Sequence, residues 1–512
     1  MRRALTLALS IALGASAVAQ GTKAPGTMVP GNPATLTPSL KSDLDGIFSD
    51  PVLARALMSV RVDSLRTGET IYALNADKLV MPASNLKILT MTTAAEKLGW
   101  GFTYKTTLEA SGPVADGILH GDLIVVGGGD PTIVSNDGGP APLFDEWAAA
   151  LRKTGIKHVD GRILADDWFF ADPIGMGWSW DDLVYGYSAP ITGLSYNENQ
   201  VNVKVTPAAA PGKLATIALS PAAGHGLRVT NYVMTVPRPA DAAAGDPRLR
   251  PSIDYHRLEG SDELVIGGRI VVGASPANQT VSVDNPTRFF VSAFRDALIG
   301  AGIIVTGPAT VWNDSPDPGK SHGPLPGPTV TIATRTSPPL SVIGPYFMKA
   351  SQNFVAETLL RTLGAVFTGA GTADAGMSVV RQTLHGWGIP DDAIVMRDGS
   401  GLSRYNYVTT SAIVMMLTRM WKNDALRGPF AAALPVAAHD GTLSNRMKNT
   451  WLDQHVQAKT GTIANVRSLS GYLETRSGER IVFSMIGNHF TVPASQIDAL
   501  TEKALALIAD RR

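Results

Sequence analysis

The chain has 512 residues, 44% of them apolar and 17% charged, with 44 Lys+Arg against 44 Asp+Glu and no cysteine. At about 150 residues per domain this allows roughly three domains, with cores large enough to need no disulfide or zinc staple. Balanced charge gives no global pull towards nucleic acid, ample apolar content excludes whole-chain disorder, and the missing thiols exclude cysteine nucleophiles and Cys-ligated metal sites.

Arg2 and Arg3 precede a mostly apolar run, Leu5 to Leu13, and Ala17-Val18-Ala19 is a small-x-small cleavage pattern. This predicts a secretory signal peptide over residues 1–19 and an exported, periplasmic chain. The apolar run is short for a membrane span of ~20 residues. Residues 20–42 are rich in Gly, Pro, Thr and Ser and read as a poorly ordered lead-in.

In residues 43–98, Val60-Arg61-Val62 and Thr70 to Leu74 read as strands joined by the turn Arg66-Thr67-Gly68. Pro82-Ala83-Ser84 leads into a run in which Ile88, Met91, Ala95 and Leu98 recur at spacings of three and four, and Gly99 stops it. That is a helix packed on a sheet.

Residues 100–330 change character. Leu123 to Val126, Val201 to Val205, Tyr232 to Met234 and Leu264 to Ile266 are strand-like and separated by Gly, Asp and Pro turns. Helices are expected only near 142–153 and 292–299, and long connectors over 237–251 and 311–330. Residues 338–512 return to mixed character. Tyr346–Leu363, Thr410–Trp421 and Ala494–Ala509 read as helices, and 456–473 and 480–487 as mostly strand. The fold class expected is α/β. One domain is expected to be split into residues 20–98 and 331–512 by a mostly β insertion, 99–330, read as two subdomains.

Three short motifs carry the chemistry. Ser84-Asn85-Leu86-Lys87 is S-x-x-K at a predicted helix start, where a spacing of three puts Lys87 on nearly the same face as Ser84. A hydroxyl is a weak nucleophile without an adjacent base, and an amine can serve once burial or a nearby cation lowers its pKa. Ser351-Gln352-Asn353 is S-x-N; Ser195-Tyr196-Asn197 also matches but sits among turn and strand residues. Lys459-Thr460-Gly461-Thr462 is K-T-G on a plausible edge strand beside a cleft. The second K-T-G, Lys153-Thr154-Gly155, reads as a helix end. The order S-x-x-K, S-x-N, K-T-G supplies a nucleophile, a base, a proton relay and a cationic anchor for a carboxylate. The nine histidines show no ligand spacing, so neither a metal nor another cofactor is implied.

With these motifs the sequence resembles the class C low-molecular-mass penicillin-binding proteins, the D-Ala-D-Ala carboxypeptidase/endopeptidase family. The resemblance spans most of the mature chain. It includes Gly127-Gly128-Gly129-Asp130-Pro131, Gly177-Trp178-Ser179-Trp180-Asp181-Asp182 and Tyr187-Ser188-Ala189-Pro190. Further along it takes in Asp398-Gly399-Ser400-Gly401-Leu402-Ser403 and His439-Asp440-Gly441-Thr442-Leu443. It implies a split transpeptidase/β-lactamase-like domain, an antiparallel sheet flanked by helices, with residues 88–350 separating the first two motifs.

The resemblance further implies an acyl transfer. Neutral Lys87 takes the Ser84 proton, the N–H groups of Ser84 and Thr462 hold the oxyanion, and Lys459 with Thr460 and Thr462 binds a terminal carboxylate across Gly461. Ser351 relays a proton, and Asn353 holds Lys87 and the substrate amide. Proximity of Lys459 is expected to depress Lys87. Asp182 is expected to meet the amino group of a diamino-acid side chain. The implied partners are peptidoglycan stems and cross-links, with β-lactams as covalent inhibitors, no nucleic acid, and room for a homodimer or weak peripheral membrane contact. Two other readings stay open: a β-lactamase or esterase using the same S-x-x-K start, and a catalytically silent wall-binding protein.

Overall fold

The computed structural model describes residues 38–136, 139–312 and 327–511. The expected signal peptide, residues 20–37 of the lead-in and most of the connector 311–330 lie outside these residues, and the end of the lead-in, expected to be poorly ordered, instead opens the helix Pro38–Phe48.

A five-stranded antiparallel sheet organises the part of the chain outside residues 105–336. Its strands are β1 (Leu57–Ser64), β2 (Thr70–Leu74), β3 (Val456–Ile463), β4 (Val466–Glu474) and β5 (Arg480–Asn488), in the spatial order β2-β1-β5-β4-β3. β1 pairs with β5 from Leu57↔Asn488 to Ser64↔Ile481, so positions near the two ends of the chain share one sheet. The alternation along β5 shows why both faces are covered. Val482 and Ile486 enter one core, with Leu86, Ile88, Phe354 and Leu417 from the helices on that side. Ile481, Phe483 and Met485 enter a second core under the helices Pro38–Phe48 and Ala494–Ala509. Side chains alternate faces with period two, so one apolar strand seals two helical layers.

The described residues between 105 and 336 hold a third core. The helices Pro142–Lys153 and Pro286–Gly300 bring Phe144, Trp147, Phe290 and Phe294 against Val201, Val203 and Val205 of the strand Gln200–Thr206. Small sheets of three, three, four and five strands surround it. The chain runs in along Lys105–Ser111 and out along Thr329–Thr336, and these two strands pair antiparallel. A long segment can therefore leave and rejoin the rest of the chain at one place.

Three local expectations need correction. The second helix of this region begins at Pro286 rather than near 292, because Asn285 caps it through Arg288 N at 2.9 Å and Pro286 takes the first turn. Tyr346 to Leu363 is not one helix. Leu340–Lys349 ends, Ser351 turns at φ 59°, and Asn353–Thr368 restarts under a Gln352 cap. Ser84 lies in a 3₁₀ turn, Ala83–Leu86, and the α-helix proper begins at Lys87 and runs to Lys97.

Candidate active site

The 3₁₀ turn presents Ser84 at the end of the helix Lys87–Lys97, and Lys87 Nζ lies 2.8 Å from Ser84 Oγ. Lys87 is fully buried. Its Nζ also donates to Asn353 Oδ1 at 2.6 Å and to the Ser400 carbonyl at 2.7 Å. Both of these partners can only accept. A neutral amine has two hydrogens for the two oxygens, which leaves its lone pair for the Ser84 hydroxyl. Burial is the largest influence on Lys87 and lowers it to about 7, while Asp398 and Glu357 push the other way. The expected cause, Lys459, is therefore not the leading one. Repulsion between the two lysines lowers Lys459 instead, after burial has already done so.

Asn353 starts its helix and faces Tyr187 with its other side: Nδ2 donates to the Tyr187 carbonyl at 2.8 Å. That bond fixes which amide atom meets Lys87. Ser351 Oγ accepts from Lys459 Nζ at 2.8 Å, and Lys459 also reaches the Thr460 carbonyl at 2.9 Å. The two motifs most distant in sequence from Ser84 therefore meet beside it.

β3 is the edge strand, and it packs closely on the Ser84 turn. Asn85 Nδ2 donates to the Lys459 carbonyl at 3.0 Å, and Ser468 Oγ to the Pro82 carbonyl at 2.7 Å. A Cβ on Gly461 would stand 2.1 Å from Ser468 Oγ, 2.8 Å from Pro82 O and 3.0 Å from Ser84 N, so only glycine fits. On the outer edge Ala458 N donates to the Pro435 carbonyl. The strand period directs the N–H groups of Thr460 and Thr462 to that same edge. Thr460 Oγ1 donates to Thr442 Oγ1 at 2.6 Å, and Thr462 Oγ1 accepts from Arg467.

Asp182 stands apart from these groups and is joined to them through Tyr187. Its Oδ1 accepts from the Tyr187 hydroxyl at 2.6 Å, and the Tyr187 carbonyl is the one that holds Asn353. Ser195 bonds to Thr192 O and Asn199 within its own turn, and Lys153 closes a helix. Neither duplicate motif reaches the centre through these bonds. Among the described residues no three His, Asp or Glu side chains gather where a metal could sit.

The support behind Lys87 was largely missed in the sequence. Fully buried Glu357 accepts from Gly399 N at 2.9 Å and Ser400 N at 2.8 Å, and pairs with buried Arg361 at 3.1 Å. Burial and Asp398 raise its carboxyl above the usual range. Asp398 accepts from Gly401 N at 2.8 Å, Ser403 N at 2.6 Å and Trp178 Nε1 at 3.0 Å. This loop presents the Ser400 carbonyl to Lys87. Glu357 was findable, because it lies four residues after Asn353 and so on the same helical face.

Known proteins resemble this chain over most of its length. The model of the D-Ala-D-Ala carboxypeptidase 3 (S13) family matches residues 40–510. A D-alanyl-D-alanine carboxypeptidase of Actinomadura sp. is 34% identical over 478 residues, covering 89% of this chain and 82% of that protein. The D-alanyl-D-alanine carboxypeptidase DacB of Haemophilus influenzae is 25% identical over 446 residues, 86% of this chain and 87% of that protein. The crystal structure of penicillin binding protein 4 from Haemophilus influenzae matches with a TM-score of 0.78 at 24% identity, covering 92% of this chain and 99% of that one. At that identity the likeness is one of fold.

Proposed function

Because the chain belongs to the D-Ala-D-Ala carboxypeptidase 3 (S13) family and is a serine-type D-Ala-D-Ala carboxypeptidase, we propose that it works through a Ser84 acyl-enzyme. The observation that carries this is the set of neighbours of Lys87 Nζ: two acceptor-only oxygens and one hydroxyl. Neutral Lys87 accepts the Ser84 proton as Oγ bonds to the penultimate D-Ala carbonyl carbon. The N–H groups of Ser84 and Thr462 hold the oxyanion. Lys459, with Thr460 and Thr462, holds the terminal carboxylate, whose charge offsets the burial that depresses the ammonium. Lys459 donates to Ser351 Oγ, so the Ser351 hydroxyl hydrogen is free to pass to the leaving amine as the C–N bond breaks. That oxygen is then reprotonated from Lys87. Water attacks the ester, gives a proton back to Ser84 Oγ through Lys87, and frees the shortened peptide.

The same site accounts for β-lactams as slow-leaving acylating agents, since they offer a carboxylate beside a strained amide. Peptidoglycan stems are the proposed substrates in an exported, periplasmic setting. D-Ala–diamino-acid cross-links are proposed as endopeptidase substrates, with Asp182 meeting the free amino group. The enzyme domain comprises residues 20–98 and 331–512, with 99–330 inserted. Digestion of defined muropeptides tests the reading. The parent should release D-Ala, and Ser84→Ala should release none; equal release by both would overturn it.

A further inference from the structure

The middle residue of Ser351-Gln352-Asn353 has a partner in the inserted region that the acyl-transfer scheme does not use. Glu198 accepts from Gln352 Nε2 through one carboxylate oxygen and from the Tyr346 hydroxyl through the other. It reaches them from an unusual turn. Asn197, Glu198 and Asn199 stand consecutively at φ 53°, 53° and 58°, left-handed conformations that non-glycine residues adopt at a cost. The surroundings over-determine the turn. Asn197 N donates to Ile133 O at 2.8 Å, Asn197 Nδ2 to Gln200 O at 2.7 Å, and Asn199 Nδ2 to Pro190 O at 2.8 Å.

The two groups that Glu198 holds flank the Ser351 turn. Tyr346 is in the last turn of the helix Leu340–Lys349, and Gln352 caps the next helix with its Oε1 on Phe354 N at 3.3 Å. Ser351 between them is itself left-handed. With Gln352 Nε2 fixed by Glu198, its Oε1 must face Phe354 N, and the cap sets where Asn353 begins. One residue on either side of Gln352 are the groups that touch Lys459 and Lys87.

We propose that Glu198 is a positioning residue through which the inserted region sets the Ser351-Gln352-Asn353 turn against the two lysines. The proposal rests on the acyl-enzyme reading, and its test separates the two. Acylation by a fluorescent penicillin is followed in stopped flow, resolving the reversible binding constant from the acylation rate constant.

Glu198→Ala is expected to slow acylation by about tenfold or more with binding little changed, since small displacements of reacting groups cost rate rather than contact. Glu198→Gln is expected to stay within about threefold of the parent, because its oxygen still accepts from Gln352 and its amide can donate to the Tyr346 hydroxyl. Gln352→Glu sets two carboxylates face to face and should slow acylation; Glu198→Gln combined with Gln352→Glu restores a donor between them and should recover the rate. Should Glu198→Ala fail to fold, the Gln352→Glu loss and its recovery carry the test alone. Unchanged acylation in Glu198→Ala, or a Gln352→Glu loss that the second substitution leaves uncorrected, overturns the positioning role. A parent that forms no adduct overturns the acyl-enzyme reading and this proposal with it.

Discussion

Asn353 Oδ1 lies 2.6 Å from Lys87 Nζ, and its Nδ2 is held by the Tyr187 carbonyl, so the amide can give Lys87 only an acceptor. A neutral acceptor there costs the amine nothing in its neutral form. A carboxylate would stabilise the ammonium instead. Asn353→Asp should therefore raise Lys87 and lower penicillin acylation at pH 7 by about a hundredfold, with part of the rate returning as pH rises. Acylation rates measured across pH check this. A pH profile like that of the parent would contradict it.

The parent's own pH dependence has a definite sign. Burial brings Lys87 down to about 7. Acylation requires the neutral amine, so its rate should climb as pH passes through about 7 and level off above it. An uncharged ester substrate isolates this limb from the titration of Lys459. A rate flat between about pH 5.5 and 8.5 would rule out Lys87 as the base.

Gly461→Ala should separate activity from stability. The new Cβ would meet Ser468 Oγ, Pro82 O and Ser84 N at 3.0 Å or less. Two of these atoms are backbone, so β3 must move off the Ser84 turn. Overpacking of this kind costs about 1–3 kcal/mol, which urea unfolding would register. Acylation should fall by about a hundredfold, because the Ser84 and Thr462 N–H groups lose their common target. Normal acylation would show that this close approach does not define the oxyanion site.

Glu357→Ala leaves the N–H groups of Gly399 and Ser400 without their acceptor and takes the buried carboxylate partner from Arg361, which keeps Asp172 at 3.4 Å. Losing one partner of a buried ion pair costs about 3–5 kcal/mol. The loop that carries the Ser400 carbonyl should loosen as well. Expected are a lower unfolding midpoint and slower acylation. A variant as stable as the parent would show that the Arg361 ion pair contributes little.

Much of the site was legible because its residues recur at fixed local spacings. Ser84 and Lys87 are three apart, and Lys459 stands on a strand whose β-character is plain from Val456 to Ile463. What the sequence concealed was mostly backbone. The Tyr187 and Ser400 carbonyls belong to no residue type, so no motif advertises them. The break at Ser351 was hidden too. Apolar periodicity runs on through Phe347, Phe354 and Leu359, and the left-handed turn between them is set by tertiary partners such as Glu198. Asp182 illustrates a third limit. Only the family resemblance brought it towards the cleft, and its tie to the centre passes through the Tyr187 hydroxyl and main chain.

The central claim is that Ser84 Oγ forms the covalent intermediate. Intact mass after incubation with penicillin tests it most directly, for the parent and for Ser84→Ala. The account predicts a single long-lived adduct on the parent and none on Ser84→Ala. A parent that gains no mass, or an adduct that persists without the Ser84 hydroxyl, would contradict it.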